Sequence, residues 1–353
     1  MTRPAVGVAL VGIGGWGHHI ARTLIGLPQV ELRWICDQDS ATLSRATGLC
    51  PHAQPTAALA EVLADPTVEA VVLATPAATH YALGLQILEA GRDLFVEKPM
   101  ALETRHAEAL QRCAQAGQRI LMVGHLLYYH PALIQLRALV RAGTLGTLRT
   151  LVSQRLNLGT VRSDENALWS LAPHDVSVAL HLMGRMPSQV SARGLACLGR
   201  PVEDVAFLTL DFEGQALAQI QVSWLDPRKT RCLTVVGTEA MAVFDDLEPV
   251  EKLRLHDKRV RLPAPTEANT PPQLHQGGVF APELPGVEPL RAELEHFADC
   301  VRTRRLPLSD GHDGIRVLQV LSAAQASLAA GGRMVTLDAV GASPPLHGDV
   351  SCL

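Results

Sequence analysis

Aromatic side chains are scarce: Phe, Tyr and Trp make up 4% of the 353 residues. That scarcity argues against a surface on which nucleic-acid bases stack. Neither charge sign dominates, with Lys+Arg 31 against Asp+Glu 35 and a formal net charge of −4. The basic excess that marks a phosphate-backbone binder is therefore missing. The seven cysteines stand at 36, 50, 113, 197, 232, 300 and 352, an odd and widely spaced set with no CxxC. Such a set argues against a disulfide framework or a cysteine-rich zinc site and fits a reducing compartment. No run of 18 apolar residues occurs, so no transmembrane helix is expected. The 14 histidines are scattered without an HExxH, and no metal site is expected. Together these absences predict a soluble cytoplasmic protein.

Apolar content is nonetheless high, 47% against 19% charged, enough to bury a sizeable core. At roughly 150 residues per domain, the length implies two domains. The first part alternates short apolar strands with amphipathic helices. Strands are expected at Val6–Val11, Val30–Cys36, Val68–Leu73, Asp93–Val96 and Ile120–Val123. Helices are expected at Trp16–Leu27, Ala57–Leu63, His80–Ala90 and Thr104–Ala116. Strands separated by helices pair in parallel through right-handed crossovers, which makes a doubly wound sheet. After about residue 124 the period changes to two. Ala206, Leu208, Leu210 and Phe212 share one strand face, Glu213-Gly214 turns the chain, and Ala218, Ile220, Val222 and Trp224 share the returning face. That is an antiparallel hairpin with one buried side. Residues 262–289, rich in Pro and Gly, read as a long excursion, and Leu290–Arg302 and Ile315–Ala330 as closing helices. The expected class is α/β. A doubly wound parallel sheet spans residues 1–124, an α+β domain on a largely antiparallel sheet spans 125–340, and a frayed tail spans 341–353.

Gly12-Ile13-Gly14-Gly15-Trp16-Gly17 satisfies GxGxxG between a strand and a helix, the context in which that pattern carries meaning. Gly12 permits a tight turn, Gly14 lets a pyrophosphate approach the backbone, and Gly17 permits close helix–strand packing. Gly15 and Trp16 belong to the helix start, whose free N–H groups and positive dipole end face the phosphates. Asp37, twenty residues past Gly17, is placed to accept from the adenosine ribose hydroxyls and to repel a 2′-phosphate. No arginine follows it directly, so NAD is favoured over NADP. Phe95-Val96-Glu97-Lys98-Pro99 closes another strand of the same sheet, and ligands of such sheets sit off the carboxyl ends of the strands. Glu97 and Lys98 are thereby expected at the cofactor crevice, where a lysine polarises a substrate oxygen or carries its proton.

Four blocks, Gly12–Gly17, Ala74-Thr75-Pro76 with His80, Glu97-Lys98-Pro99 and Val123-Gly124-His125, resemble the glucose-fructose oxidoreductase/inositol dehydrogenase/MocA family in order and spacing. The likeness extends through Leu290–Gly332, with Asp310-Gly311. The resemblance implies that Lys98 is catalytic and that the peptide before Pro99 is cis. It also implies that Thr75, Pro76 and His80 line the nicotinamide side and His125 the neighbouring wall. A catalytic histidine at the start of a helix is implied at His174, counted back from Leu182-Met183-Gly184. The family pattern D-x-G-x-H-x-x-D departs here, with Ser170, Ala172 and Ser177 in place of the first Asp, the Gly and the second Asp. Asp175 is adjacent to His174 but projects about 100° round the helix.

Asn157-Leu158-Gly159 through Trp169–Asp175, and Ser223-Trp224-Leu225-Asp226-Pro227-Arg228-Lys229, look like one branch of that family. That branch oxidises the 3-hydroxyl of UDP-N-acetylglucosamine and passes the product to a partner aminotransferase. On this resemblance Lys98, Arg155, Asn157, Arg162, Trp169 and His174 contact the substrate. Arg155, Arg162, Arg228, Lys229 and Arg231 are the cations available for its diphosphate. A homodimer or homotetramer is implied too. Three other readings stay open within the family: dehydrogenation of a free sugar or inositol, NAD-dependent glycoside cleavage, and a non-catalytic NAD-binding sensor. The last fits poorly with Lys98, which silent relatives usually lose.

Overall fold

The structure, a computed structural model, describes residues 5–162, 165–263 and 271–337; the tail 341–353 lies outside the described residues. The chain forms two compact units. The first takes the described chain to Tyr129 together with Val287–Leu318, and the second takes His130–Gly286 together with the described residues from Gln319.

In the first unit β1 (Val6–Val11), α1 (Gly15–Ile25), β2 (Val30–Cys36), α2 (Ser40–Leu49), β3 (Gln54–Thr56) and α3 (Leu59–Ala64) follow in order. Then come β4 (Ala70–Leu73), α4 (Ala77–Glu89), β5 (Asp93–Val96), α5 (Thr104–Ala116), β6 (Leu121–Val123) and a 3-10 turn at Leu126–Tyr129. All five strand pairings are parallel, in the order β3-β2-β1-β4-β5-β6. Every residue of β1, β4, β5 and β6 is buried, as parallel strands covered on both faces require. The order reverses between β1 and β4, and the crevice off the carboxyl ends at such a reversal is where ligands of this architecture bind.

The expected linear division at 124/125 is corrected by the return of the chain. Helix α8 (Pro289–Thr303), the next helix of this unit, places Leu290, Leu294, Phe297 and Val301 in the core that holds Leu10, Ile20, Leu24 and Phe95. The Phe95 and Phe297 rings meet edge to face at 5.6 Å. Two elements escaped the sequence pattern. Helix α2 buries only Ala46, so it shows no apolar stripe, and Asp39 starts it by accepting from the N–H groups of Ala41 and Thr42. Strand β3 is a three-residue edge containing Pro55.

The second unit begins with α6 (Pro131–Arg141), β7 (Leu148–Leu158) and α7 (Ala167–Met183). Strands β8 (Gln189–Leu195), β9 (Val205–Phe212), β10 (Ala216–Ser223), β11 (Leu225–Gly237), β12 (Met241–Asp245), β13 (Leu253–Arg261) and β14 (Gln273–Phe280) follow. After α8, α9 (Gly311–Ala329) crosses the division of the chain, and β15 (Val335–Thr336) closes the order. The nine strands run β14-β13-β12-β11-β7-β10-β9-β8-β15, antiparallel except where β7 lies beside β10. The expected hairpin is present: Glu213 and Gly214, at φ of 58° and 67°, lie with Gln215 in its three-residue turn, and all eight inward residues are buried. The excursion expected at 262–289 is corrected in part, because β14 pairs with β13 from Leu255↔Phe280 to Arg261↔Gln273. Not one residue of β14 is buried, so backbone pairing alone makes the strand, and apolar alternation could not announce it. Among the described residues no helix is long and apolar enough to cross a membrane.

Candidate active site

The first unit gathers its candidate residues on the carboxyl ends of β1, β2, β4, β5 and β6. Gly12 leaves β1 at φ +89°, and a Cβ there would lie 2.7 Å from the backbone of Ala74 and Thr75. Only glycine allows that approach of the β1 and β4 ends. A Cβ on Gly17 would lie 2.1 Å from the Gly12 carbonyl oxygen, whereas Cβ atoms on Gly14 and Gly15 would meet nothing within 4 Å. The first and last glycines thus pack the turn, and the two between leave an open cradle. Above that cradle α1 starts with no side-chain cap and no acidic residue in its first turn, so its positive end is offered outward. Asp37 Oδ2 accepts the Ile13 N–H at 2.7 Å and Oδ1 the Asp39 N–H at 3.0 Å. The carboxylate therefore holds the turn itself and keeps acceptor sites for ribose hydroxyls.

At the end of β5 the Lys98–Pro99 peptide is cis, as the family resemblance implies. Lys98 is half-buried, and Glu97 is 8% exposed. Glu97 Oε1 accepts the Trp16 indole N–H at 2.6 Å, and Oε2 accepts the backbone N–H of Lys98 at 3.2 Å. Burial pushes the Glu97 carboxyl's proton affinity up, and the Trp16 N–H and the Lys98 charge pull it back.

Two expected lining residues sit deeper than the resemblance implied. His80 is 1% exposed, with Nε2 2.8 Å from the Thr75 carbonyl and Nδ1 2.9 Å from that of Pro99. It is a clasp between the loops after β4 and β5, placed inward by the α4 face that also buries Gly84 and Ile87. Burial, more than any charge, lowers its proton affinity. His125 is 2% exposed, and neither ring nitrogen has a hydrogen-bond partner among the described residues. Burial, with the Lys98 charge adding to it, brings its pKa down to about 3, so the ring is neutral. Thr75 stays nearer the surface, its hydroxyl 2.7 Å from that of Thr79, which donates to the Pro76 carbonyl. Glu293 on α8 was not anticipated. It is fully buried with neither carboxyl oxygen partnered among the described residues. Burial first, then the Glu97 and Glu288 charges, raises its proton affinity far above the ordinary range, so it is held neutral. An isolated Glu in an amphipathic helix carries no signal of this in sequence.

In the second unit α7 begins at Ala167, so His174 lies about two turns into the helix and not at its start. Asp175 points to β7, where its carboxylate accepts from Ser153 Oγ at 2.6 Å and from Arg155 Nε at 2.7 Å. Arg155 is thus locked into a 13%-exposed ion pair, and its guanidinium is engaged before any ligand arrives. Trp169 donates its indole N–H to Gln325 at 3.0 Å, and Asn166 caps the helix by accepting the Trp169 N–H. Asn157 is half-buried at the end of β7, and exposed Arg162 pairs with Glu165 at 3.1 Å. Arg231 pairs with Asp246 at 3.2 Å, while Arg228 and Lys229 are exposed. No group of three or more His, Cys, Asp or Glu able to hold a metal ion occurs among the described residues.

Comparison with known proteins places this geometry. Residues 6–125 match the GFO/IDH/MocA model described as an oxidoreductase family with an NAD-binding Rossmann fold, and residues 133–243 match the GFO/IDH/MocA C-terminal domain. The chain is 29% identical over 323 residues to the UDP-N-acetylglucosamine 3-dehydrogenase of Acidithiobacillus ferrooxidans, covering 88% of this chain and 93% of that protein. It is 24% identical over 347 residues to the NAD-dependent scyllo-inositol 2-dehydrogenase of Bacillus subtilis, covering 94% and 96%. Among solved structures, GenD2 from gentamicin A biosynthesis, in complex with NAD, matches with a TM-score of 0.80 at 28% identity over 96% of this chain and 98% of that one.

Proposed function

This chain belongs to the GFO/IDH/MocA oxidoreductase family, and on that footing we propose that it oxidises the 3-hydroxyl of UDP-N-acetylglucosamine to a ketone. Its cofactor is NAD. The residues present fit that group: the cradle over Gly14 and Gly15 has room that a Cβ would take, the start of α1 meets the pyrophosphate, and Asp37 takes the ribose. The observation that carries the dehydrogenase reading is Lys98 at the end of β5, tied through Glu97 to the glycine turn. Bound NAD supplies the hydride acceptor. Lys98 hydrogen-bonds the substrate oxygen and, entering as the free amine, takes the hydroxyl proton to become the ammonium as the hydride leaves for NAD. His174, on α7, is the second proposed proton carrier, because imidazole exchanges protons readily near neutral pH. Asn157, Arg162 and Trp169 are proposed as substrate contacts, with Arg228 and Lys229 the exposed cations for a diphosphate. A 3-keto product would pass to an aminotransferase. The exposed apolar residues Val152, Phe207 and Leu217 on the outer face of β7, β9 and β10 support association of copies through that face.

The named Acidithiobacillus relative supports the nucleotide-sugar substrate. A second reading, oxidation of a free sugar or inositol, is favoured by the Arg155–Asp175 pair, which withholds one of the expected diphosphate cations. Absorbance at 340 nm decides between them, with NAD, a carbonyl trap, and a panel of UDP-, GDP- and dTDP-sugars, free sugars and inositols. A rise confined to UDP-N-acetylglucosamine is expected. A flat response to every nucleotide sugar, despite measurable NAD binding, overturns the substrate assignment, and a rise with inositols or free sugars selects the second reading.

A further inference from the structure

We propose that Trp16 is a positioning residue that couples the dinucleotide-binding turn to Lys98 through the Glu97 carboxylate. The inference rests on the reading of Lys98 as the catalytic lysine. Trp16 stands in the first turn of α1, within the GxGxxG block, and its indole N–H meets Glu97 Oε1 at 2.6 Å across 81 residues of sequence. The other oxygen of the same carboxylate receives the Lys98 N–H at 3.2 Å. One side chain therefore grips both the turn that cradles the pyrophosphate and the backbone of the lysine. The grip is stiff. Glu97 is 8% exposed, and Gly124 passes so close that a Cβ there would lie 3.0 Å from its Cδ and Oε2.

Packing does not account for the tryptophan. Trp16 is 42% exposed, and Gly14 and Gly15 beside it have open space above them. A phenylalanine would cover the same surface, and what only the indole supplies is the N–H. That bond joins a buried carboxyl acceptor to its donor, and a buried polar group left without its partner is costly. Any shift of the turn as it closes on the cofactor reaches the lysine backbone by this route, two hydrogen bonds long.

The test uses Trp16→Phe, Glu97→Gln and the double variant in the full-length protein. Folding is checked by circular dichroism, and Glu97→Gln alone carries the test if Trp16→Phe fails to fold. Two quantities are read without any sugar: the Kd for NAD by calorimetry, and the acetylation rate of the Lys98 amine by mass spectrometry with and without NAD. In the wild-type protein saturating NAD changes the Lys98 rate. In Trp16→Phe the NAD-dependent change is expected to shrink by about 10-fold, the worth of one buried hydrogen bond, with the smaller loss in NAD affinity. The double variant is expected to be no worse than the worse single one. Wild-type-like labelling in Trp16→Phe, with and without NAD, overturns the proposal, as do single effects that add in the double variant. Neither readout needs turnover, so a failure of the proposed sugar oxidation and a failure of this coupling are seen separately.

Discussion

Gly14→Ala separates the cradle from the fold, and its effect follows from local geometry. Gly14 sits at φ −61° and ψ −165°, a conformation alanine adopts freely, and its Cβ would meet no atom within 4 Å. The variant should therefore fold with the wild-type Tm to within a degree or two. The same methyl would stand where the pyrophosphate approaches the backbone, so the Kd for NAD should rise by about 100-fold, roughly 2.7 kcal/mol. Gly17→Ala gives the contrast. Its Cβ would lie 2.1 Å from the Gly12 oxygen, and ordinary contact begins at 3.4 Å, so turn and helix must part by about 1.3 Å. That displacement moves the donor N–H groups off the phosphates and strains the packing, at a cost typical of overpacking, about 1–3 kcal/mol. Both NAD affinity and Tm should fall. Calorimetric titration with NAD and thermal melts of the three proteins read both quantities. If Gly14→Ala binds NAD as tightly as wild type, the open space over Gly14 is not the cofactor cradle, and the assignment of the site to this turn fails.

Lys98→Ala should lower turnover by at least about 10³-fold and change the Kd for NAD by only a few-fold, measured at 340 nm and by titration; retained activity removes Lys98 from the mechanism. His174→Ala should lose less. Glu293→Gln tests the buried neutral acid. A folded proton affinity above the ordinary 4.5 means that wild-type stability is full below pH 4.5 and falls as pH rises toward the folded value. The variant's Tm advantage should therefore grow as pH rises above 4.5, and parallel Tm–pH curves would refute it. His125→Phe tests the opposite sign. With a folded pKa of about 3 against 6.5, the wild type loses stability as pH falls from 6.5 toward 3, so the variant should shift acid unfolding to lower pH. An unchanged acid midpoint would mean that the ring is charged or partnered in solution.

Much of the first unit was legible because most of its strands are covered on both sides. Val6–Val11, Val30–Cys36 and Asp93–Val96 have the bounds that their apolar runs announce, and Gly12 and Gly17 sit where their close contacts demand glycine. Illegible elements are those held by something other than an apolar stripe. Helix α2 leans on a cap, β14 on ladder hydrogen bonds, and the return of α8 to the first unit on contacts such as Phe95 with Phe297, 202 residues apart. The same holds within the site. Lys98, Asp37 and the glycine turn belong to local patterns. Trp16 on Glu97, His80 between two carbonyls, and the buried Glu293, without a partner among the described residues, depend on strand order, which no local window contains.

The expected weakness of His174→Ala comes from where α7 keeps its acid. In the family pattern the second carboxylate stands three residues after the histidine, about 60° away round the helix and on the same side. Here that position is Ser177, whose hydroxyl donates to the His174 carbonyl at 2.8 Å. The nearest acid, Asp175, is one residue on, and it is 6% exposed with Ser153 and Arg155 as its partners. Its charge is spent on fastening α7 to β7. With Ser177 in place of the family's second carboxylate, more of the proton transfer is expected to fall to Lys98. A His174→Ala loss as deep as that of Lys98→Ala would show the opposite, that the histidine acts at full strength without an acid three residues on.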